Sequence, residues 1–147
     1  MKQRDENDLL HEICRNASMG TEAIQEVLKD VYDEEFAYEL NVQADKMQQF
    51  GRKAGMRLRK NGKEPSEPKA ISTAMLKTGI RMKTMLQDKT SDVADMMYKG
   101  NERGARELKQ AIHKYKDAGI YATELAKEMI DFEEENLRKM RSYFDED

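Results

Sequence analysis

Tryptophan is absent from this chain of 147 residues, cysteine occurs once, and proline and histidine occur twice each. Each scarcity excludes something. A lone cysteine, Cys14, rules out an internal disulfide framework and fits a reducing compartment. Both prolines, Pro65 and Pro68, fall in one short stretch, so the rest of the chain is free to form long helices. No apolar run approaches the roughly 20 residues that span a bilayer. The first residues, Met1 to Asn7, lead into only two adjacent leucines, which is no signal peptide, so a cytoplasmic location is expected. The 26 basic and 29 acidic residues nearly cancel, which gives no general drive toward nucleic acid.

What is present is helical periodicity. Leu9, Ile13, Ala17, Gly20, Ile24, Val27 and Val31 recur at spacings of three and four. Leu10, Cys14, Ala23 and Leu28 widen that stripe into a face broad enough for a bundle core. Asn7 or Asp8 is the expected cap of this first helix, over residues 8–30. A second stripe, Phe36, Leu40, Ala44, Met47, Gly51, Ala54 and Leu58, predicts a helix over 34–60. Glu34 and Glu35 suit its positive first turn, and Asn61-Gly62 ends it. The proline-bearing stretch 61–68 reads as an extended connector. Shorter periodic runs predict helices over 69–87, 91–116 and 120–144. No segment alternates with period two, so no sheet is expected, and no residue-level repeat links the halves.

This pattern predicts one all-α domain over 1–147. It comprises two antiparallel helical hairpins joined by a long crossover that carries a short extra helix, the plan of a ferritin-like four-helix bundle. A domain of this size buries roughly two-thirds of its unfolded surface, so a core of this kind can stand without disulfides.

Five stretches also carry a resemblance. They are Asn16-Ala-Ser-Met-Gly20-Thr-Glu-Ala23, the break from Asp30 to Glu34, and Leu58-Arg-Lys-Asn-Gly62-Lys-Glu-Pro65 in the first half. In the second half they are Met75-Leu-Lys-Thr-Gly-Ile-Arg-Met82 and Val93-Ala-Asp-Met-Met-Tyr-Lys-Gly100-Asn-Glu-Arg-Gly104. With them the chain resembles, from Leu9 to Tyr143, a bacterial ferritin-like four-helix-bundle family of unknown function found among stress-linked and uncharacterised proteins. The resemblance implies the fold and a stress-related setting. Its signatures concern packing and turns and imply no catalytic residue.

A di-metal site in such a bundle needs a Glu from each of two helices and a Glu-x-x-His pair from each of the other two. The residues three before His11 and His113 are Asp8 and Gln110, so neither pair exists. A catalytic zinc, which takes three protein ligands, is equally unsupported. His11 reads as an exposed residue after a helix cap, and His113 as a flank of the core stripe. Cys14 lies on an apolar helix face and reads as core. No Gly-rich phosphate loop and no EF-hand loop occurs. The expectation is a non-enzymatic protein with no cofactor and a structural or interaction role, pairing with further copies of itself or with another protein. The enzymatic alternative is a diverged oxidoreductase holding metal through carboxylates alone, such as Glu39, Glu107, Glu124 and Glu128.

Two surfaces are candidates for partners. Arg52, Lys53, Arg57, Arg59, Lys60 and Lys63 form a run without an acid, which suits the negative end of a helix. The same run, over residues 52–63, is a candidate anion or nucleic-acid patch, although bases would find only Phe50 to stack on, which disfavours nucleic acid. Opposite charge gathers at Glu133-Glu-Glu135 and Asp145-Glu-Asp147, so the basic tip could meet an acidic end of a second copy. Met75, Met82, Met85, Met96 and Met97 concentrate five of the 11 methionines in the crossover helix and the helix after it. They form a candidate bundle cover or dimer interface, favoured over a membrane-surface role.

Overall fold

A computed structural model describes residues 2–65 and 90–144. Among them are four α-helices and no strand: α1 (Lys2–Leu28), α2 (Glu34–Lys60), α3 (Thr90–Lys114) and α4 (Ile120–Arg141). The expected helix over 69–87, with Met75, Met82 and Met85, lies outside the described residues.

The helix ends follow local chemistry. Asp33 caps α2 by accepting a hydrogen bond from the Phe36 amide at 2.9 Å. Asn61 closes it, and Gly62 follows at φ +79°, a backbone conformation that side-chain-bearing residues rarely adopt. By contrast, α1 starts at Lys2, upstream of the expected cap at Asn7 or Asp8. Asn7 is buried and is used elsewhere: its side-chain oxygen accepts from the Asn61 amide at 2.9 Å. That amide also reaches Glu6 at 2.7 Å, and Arg57 donates to Glu6 at 3.2 Å. The chain's start is therefore pinned to the end of α2, which keeps the first turns helical.

The facing pairs give the direction of each helix. Glu6 meets Arg57, Cys14 approaches Gly51, and Gly20 faces Met47, so α1 and α2 run in opposite senses. Tyr98 meets Arg141 and Lys109 meets Glu134, so α3 and α4 also oppose. Asn16 reaches Gly104, and the ring of Phe36 packs on Tyr143 while Phe50 packs on Phe132. Here α4 runs opposite to α2 and parallel to α1. The proximal end of the molecule thus holds Lys2, Lys60, Lys114 and Ile120. The distal end holds Leu28, Glu34, Thr90 and Arg141.

The core is split along this axis. A proximal cluster joins Leu9, Leu10, Ile13, Leu58, Leu108, Leu125 and Met129, among others. A distal cluster joins Ile24, Val27, Phe36, Leu40, Val93, Met97 and Met140. Burying each such side chain contributes about 1.5–3 kcal/mol before the cost of ordering it. Between the clusters, every helix interrupts its apolar stripe. No helix among the described residues is long and apolar enough to cross a membrane.

Candidate interior binding site

The interruption is polar on all four helices. Thr21 sits between Ala17 and Ile24 on α1, and Gln43 between Leu40 and Met47 on α2. Asn101 sits between Met97 and Leu108 on α3, and Glu133 and Asn136 between Met129 and Met140 on α4. Each stands at helical spacing from its apolar neighbours, so the periodicity that buries the leucines buries these residues too. Gln43, Glu133 and Asn136 are each 1% exposed.

Glu133 is the chemical centre of the layer. Its Oε1 accepts a hydrogen bond from Asn101 Nδ2 at 2.8 Å. Its Oε2 lies against Gly104, where any larger residue would place a Cβ in collision with the carboxyl group. The Gly104 carbonyl in turn accepts from Asn16 Nδ2 at 3.2 Å. Burial disfavours the charged form and pushes the Glu133 pKa up to about 8, although the Asn101 hydrogen bond pulls it the other way. At neutral pH the carboxyl group is mostly protonated.

The layer is incompletely satisfied. Asn101 Oδ1, Gln43 Oε1, Thr21 Oγ1 and Asn136 Nδ2 are buried and have no hydrogen-bond partner among the described residues. Gln43 spends its own amide on Glu39 at 3.4 Å, and Glu39 meets Lys139 at 3.5 Å. Unmet buried polar atoms each cost about 1–3 kcal/mol, and four of them share this layer. A cavity of about 130 Å³ adjoins one end of this layer, lined by Met19, Met47, Met97, Asn16, Asn101 and Glu133, among others; Thr21, Gln43 and Asn136 do not line it. Its remaining charged lining groups, Arg103 and Glu107, pair with each other at 3.0 Å.

The residues singled out in the sequence are placed differently. Arg52, Lys53, Arg59, Lys60 and Lys63 are exposed. Arg57 turns away from that run: it pairs with Glu6 and lies 4.9 Å above the Tyr121 ring. Lys53 lines an open groove of about 380 Å³ between α2 and α4, together with Lys46, Glu128, Asp131 and Glu135. Of the four carboxylates considered as metal ligands, Glu39 pairs with Lys139, Glu107 with Arg103, Glu124 is exposed, and Glu128 faces the groove. Among the described residues no three His, Cys, Asp or Glu side chains converge where they could hold a metal ion. His11 is half-buried, and His113 is exposed near the end of α3 rather than flanking the core. Cys14 is buried and unbridged, its Sγ 3.8 Å from the Gly51 carbonyl. Met97 is buried in the distal cluster and lines the cavity, and Met96 is half-buried against that cluster.

The acidic run 133–135 divides. Glu133 points inward, Glu134 bonds Lys109 at 2.6 Å, and Glu135 lies exposed near Lys139. A run of like charges suggests a solvated face, but on a helix successive residues point about 100° apart, so one of three can face the core. The findable signal was the spacing Met129, Glu133, Asn136, Met140, which places a carboxyl inside an apolar stripe.

Comparison of the chain with models of known protein families, with curated proteins and with solved structures finds no match.

Proposed function

We propose that this chain is a non-enzymatic, ferritin-like four-helix bundle that works by holding a small ligand in its interior polar layer. The fold part of this reading is supported by helix direction: α2 and α3 run in the same sense, with Lys60 and Thr90 at opposite ends. Two hairpins joined by a long crossover account for that order. The functional part is carried by one observation. Asn101 and Glu133, a buried hydrogen-bonded pair, both line a cavity between the two apolar clusters, and Asn101 Oδ1 has no partner among the described residues. An assembly of helices needs neither group for cohesion, and polar groups left open in a core weaken it. Binding accounts for their presence, because a ligand restores the missing hydrogen bonds.

The test replaces both members of the central pair, Glu133→Met together with Asn101→Leu. Removing both partners of a buried hydrogen bond with apolar residues of similar shape is close to neutral or stabilising. Chemical denaturation is expected to show equal or higher stability than the wild type. A loss of more than about 2 kcal/mol would make the pair a structural element and overturn the proposal.

A further inference from the structure

Outside the interior layer, the open groove between α2 and α4 has one helical stripe as each wall. On α2 the stripe is Lys46, Gln49, Phe50 and Lys53. On α4 it is Glu128, Asp131, Phe132 and Glu135. Both step by three, one and three residues, so each set projects from one face of its helix. Charge is sorted between them: among the described residues, the charged lining of the α2 wall is all lysine and that of the α4 wall all acid. The half-buried rings of Phe50 and Phe132 lie between the two walls, with centroids 5.6 Å apart.

The opposite charges do not close on each other. Lys46, Lys53, Glu128 and Asp131 are exposed and form no ion pair among the described residues. Glu135 reaches only Lys139, at 3.9 Å on its own helix. Apolar surface continues along the same face. Met56 stands seven residues after Gln49, and Tyr121 seven before Glu128, which is about two turns in each case. Both belong to the few large hydrophobics left exposed, Met56 at 67%.

Helix direction selects the occupant. The two helices are antiparallel, and Phe50 is level with Phe132, so Lys53 stands near the level of Glu128 and Lys46 near that of Glu135. We propose that this face joins two copies of the chain about a two-fold axis running along the groove. That axis lays the partner's α4 on α2 without a change of level. Lys46 and Lys53 of each copy then face Glu135 and Glu128 of the other, and the aromatic strips meet between them. A two-fold axis lying across the groove would set lysine on lysine and carboxylate on carboxylate. In the favoured arrangement every contact is made twice, as an isologous interface requires. The charges fix partner and register, while covering Phe50, Phe132, Met56 and Tyr121 supplies the attraction, because exposed ion pairs contribute little.

The experiment measures the mass of the full chain by sedimentation velocity over a concentration series. It compares the wild type, Lys46→Glu with Lys53→Glu, Glu128→Lys with Glu135→Lys, and an equal mixture of the two variants. The wild type is expected to form a dimer that weakens as salt screens its charges. Each variant carries one sign of charge on both walls, and its self-association is expected to fall by about tenfold or more. Mixing restores opposite charges between unlike chains and is expected to return a species of twice the chain mass. All four substitutions are at exposed positions, and circular dichroism of each variant confirms that the helices are retained. A wild type that stays monomeric up to millimolar concentration overturns the proposal. Dimers that persist in either variant overturn it by placing the contact elsewhere. Folded variants that fail to pair with each other overturn the two-fold arrangement. None of these outcomes involves Glu133, so the interior-binding reading is tested separately.

Discussion

The proximal core and the polar layer occupy the same four helices and obey the same spacing, yet they do opposite things. In the proximal core, Leu9, Leu10, Ile13 and Leu108 are almost fully buried and apolar, so every contact they make favours the folded state. One or two turns further along, Gln43, Glu133 and Asn136 are buried as deeply, and Thr21, Gln43, Asn101 and Asn136 each hold a buried atom without a hydrogen-bond partner among the described residues. The first region stabilises the fold, and the second is carried by it. A domain held together by two apolar clusters can tolerate a costly layer between them, and functional chemistry is where such local conflicts collect.

This contrast can be broken from either side. The largest effect is expected in the proximal core: Leu108→Ala leaves a cavity among tightly packed neighbours and should lower unfolding free energy by about 2–5 kcal/mol in urea denaturation. Next comes Gly104→Ala. The added methyl meets the Glu133 carboxyl group, which has little room to retreat, so a loss of about 1–3 kcal/mol is expected by the same measurement. Here the loss should shrink in a Glu133→Ala background, because the two changes touch the same space. The smallest effect is expected on the surface: although Lys109 and Glu134 approach to 2.6 Å, both are substantially exposed, and a double-mutant cycle should give about 0.2–1 kcal/mol.

The layer also predicts a pH dependence that the apolar core cannot have. Glu133 titrates at about 8 in the folded chain, against 4.5 as the ordinary value. Between these limits the native state holds a proton that the unfolded state has lost. Stability should therefore decline as pH rises from about 4.5 to 8, by at most about 1.4 kcal/mol per pH unit, and level off above. Glu133→Gln should remove that slope while leaving contributions from other groups in place.

Much of the helical plan was legible because it rests on short-range rules. The Asn61-Gly62 stop and the acidic start at Glu34 mark the ends of α2 through backbone and dipole chemistry that needs no tertiary contact. The start of α1 was not legible. Asn7 is a good cap by type, and only the approach of Asn61 from across the pair decides that it is buried within a helix. The same limit applied to Arg57, which composition assigned to a basic run and which Glu6 and Tyr121 turn inward. The interior site was half legible. A carboxyl group inside the apolar stripe of α4 could be read from spacing, but its adjacency to Asn101 and Gly104 depends on how α3 packs against α4. Glu133 is the most completely buried acid among the described residues, and it lies in an acidic run that reads as a solvated face.

The central claim is that Glu133 is a desolvated carboxyl group held in a binding layer, not a surface acid. The most direct measurement is a ¹³C NMR titration of the Glu133 side-chain carboxyl, assigned by comparison with Glu133→Gln. A midpoint near 8 is the predicted result. A midpoint near 4.5, the ordinary value, would contradict the account by showing that the carboxyl group meets water freely.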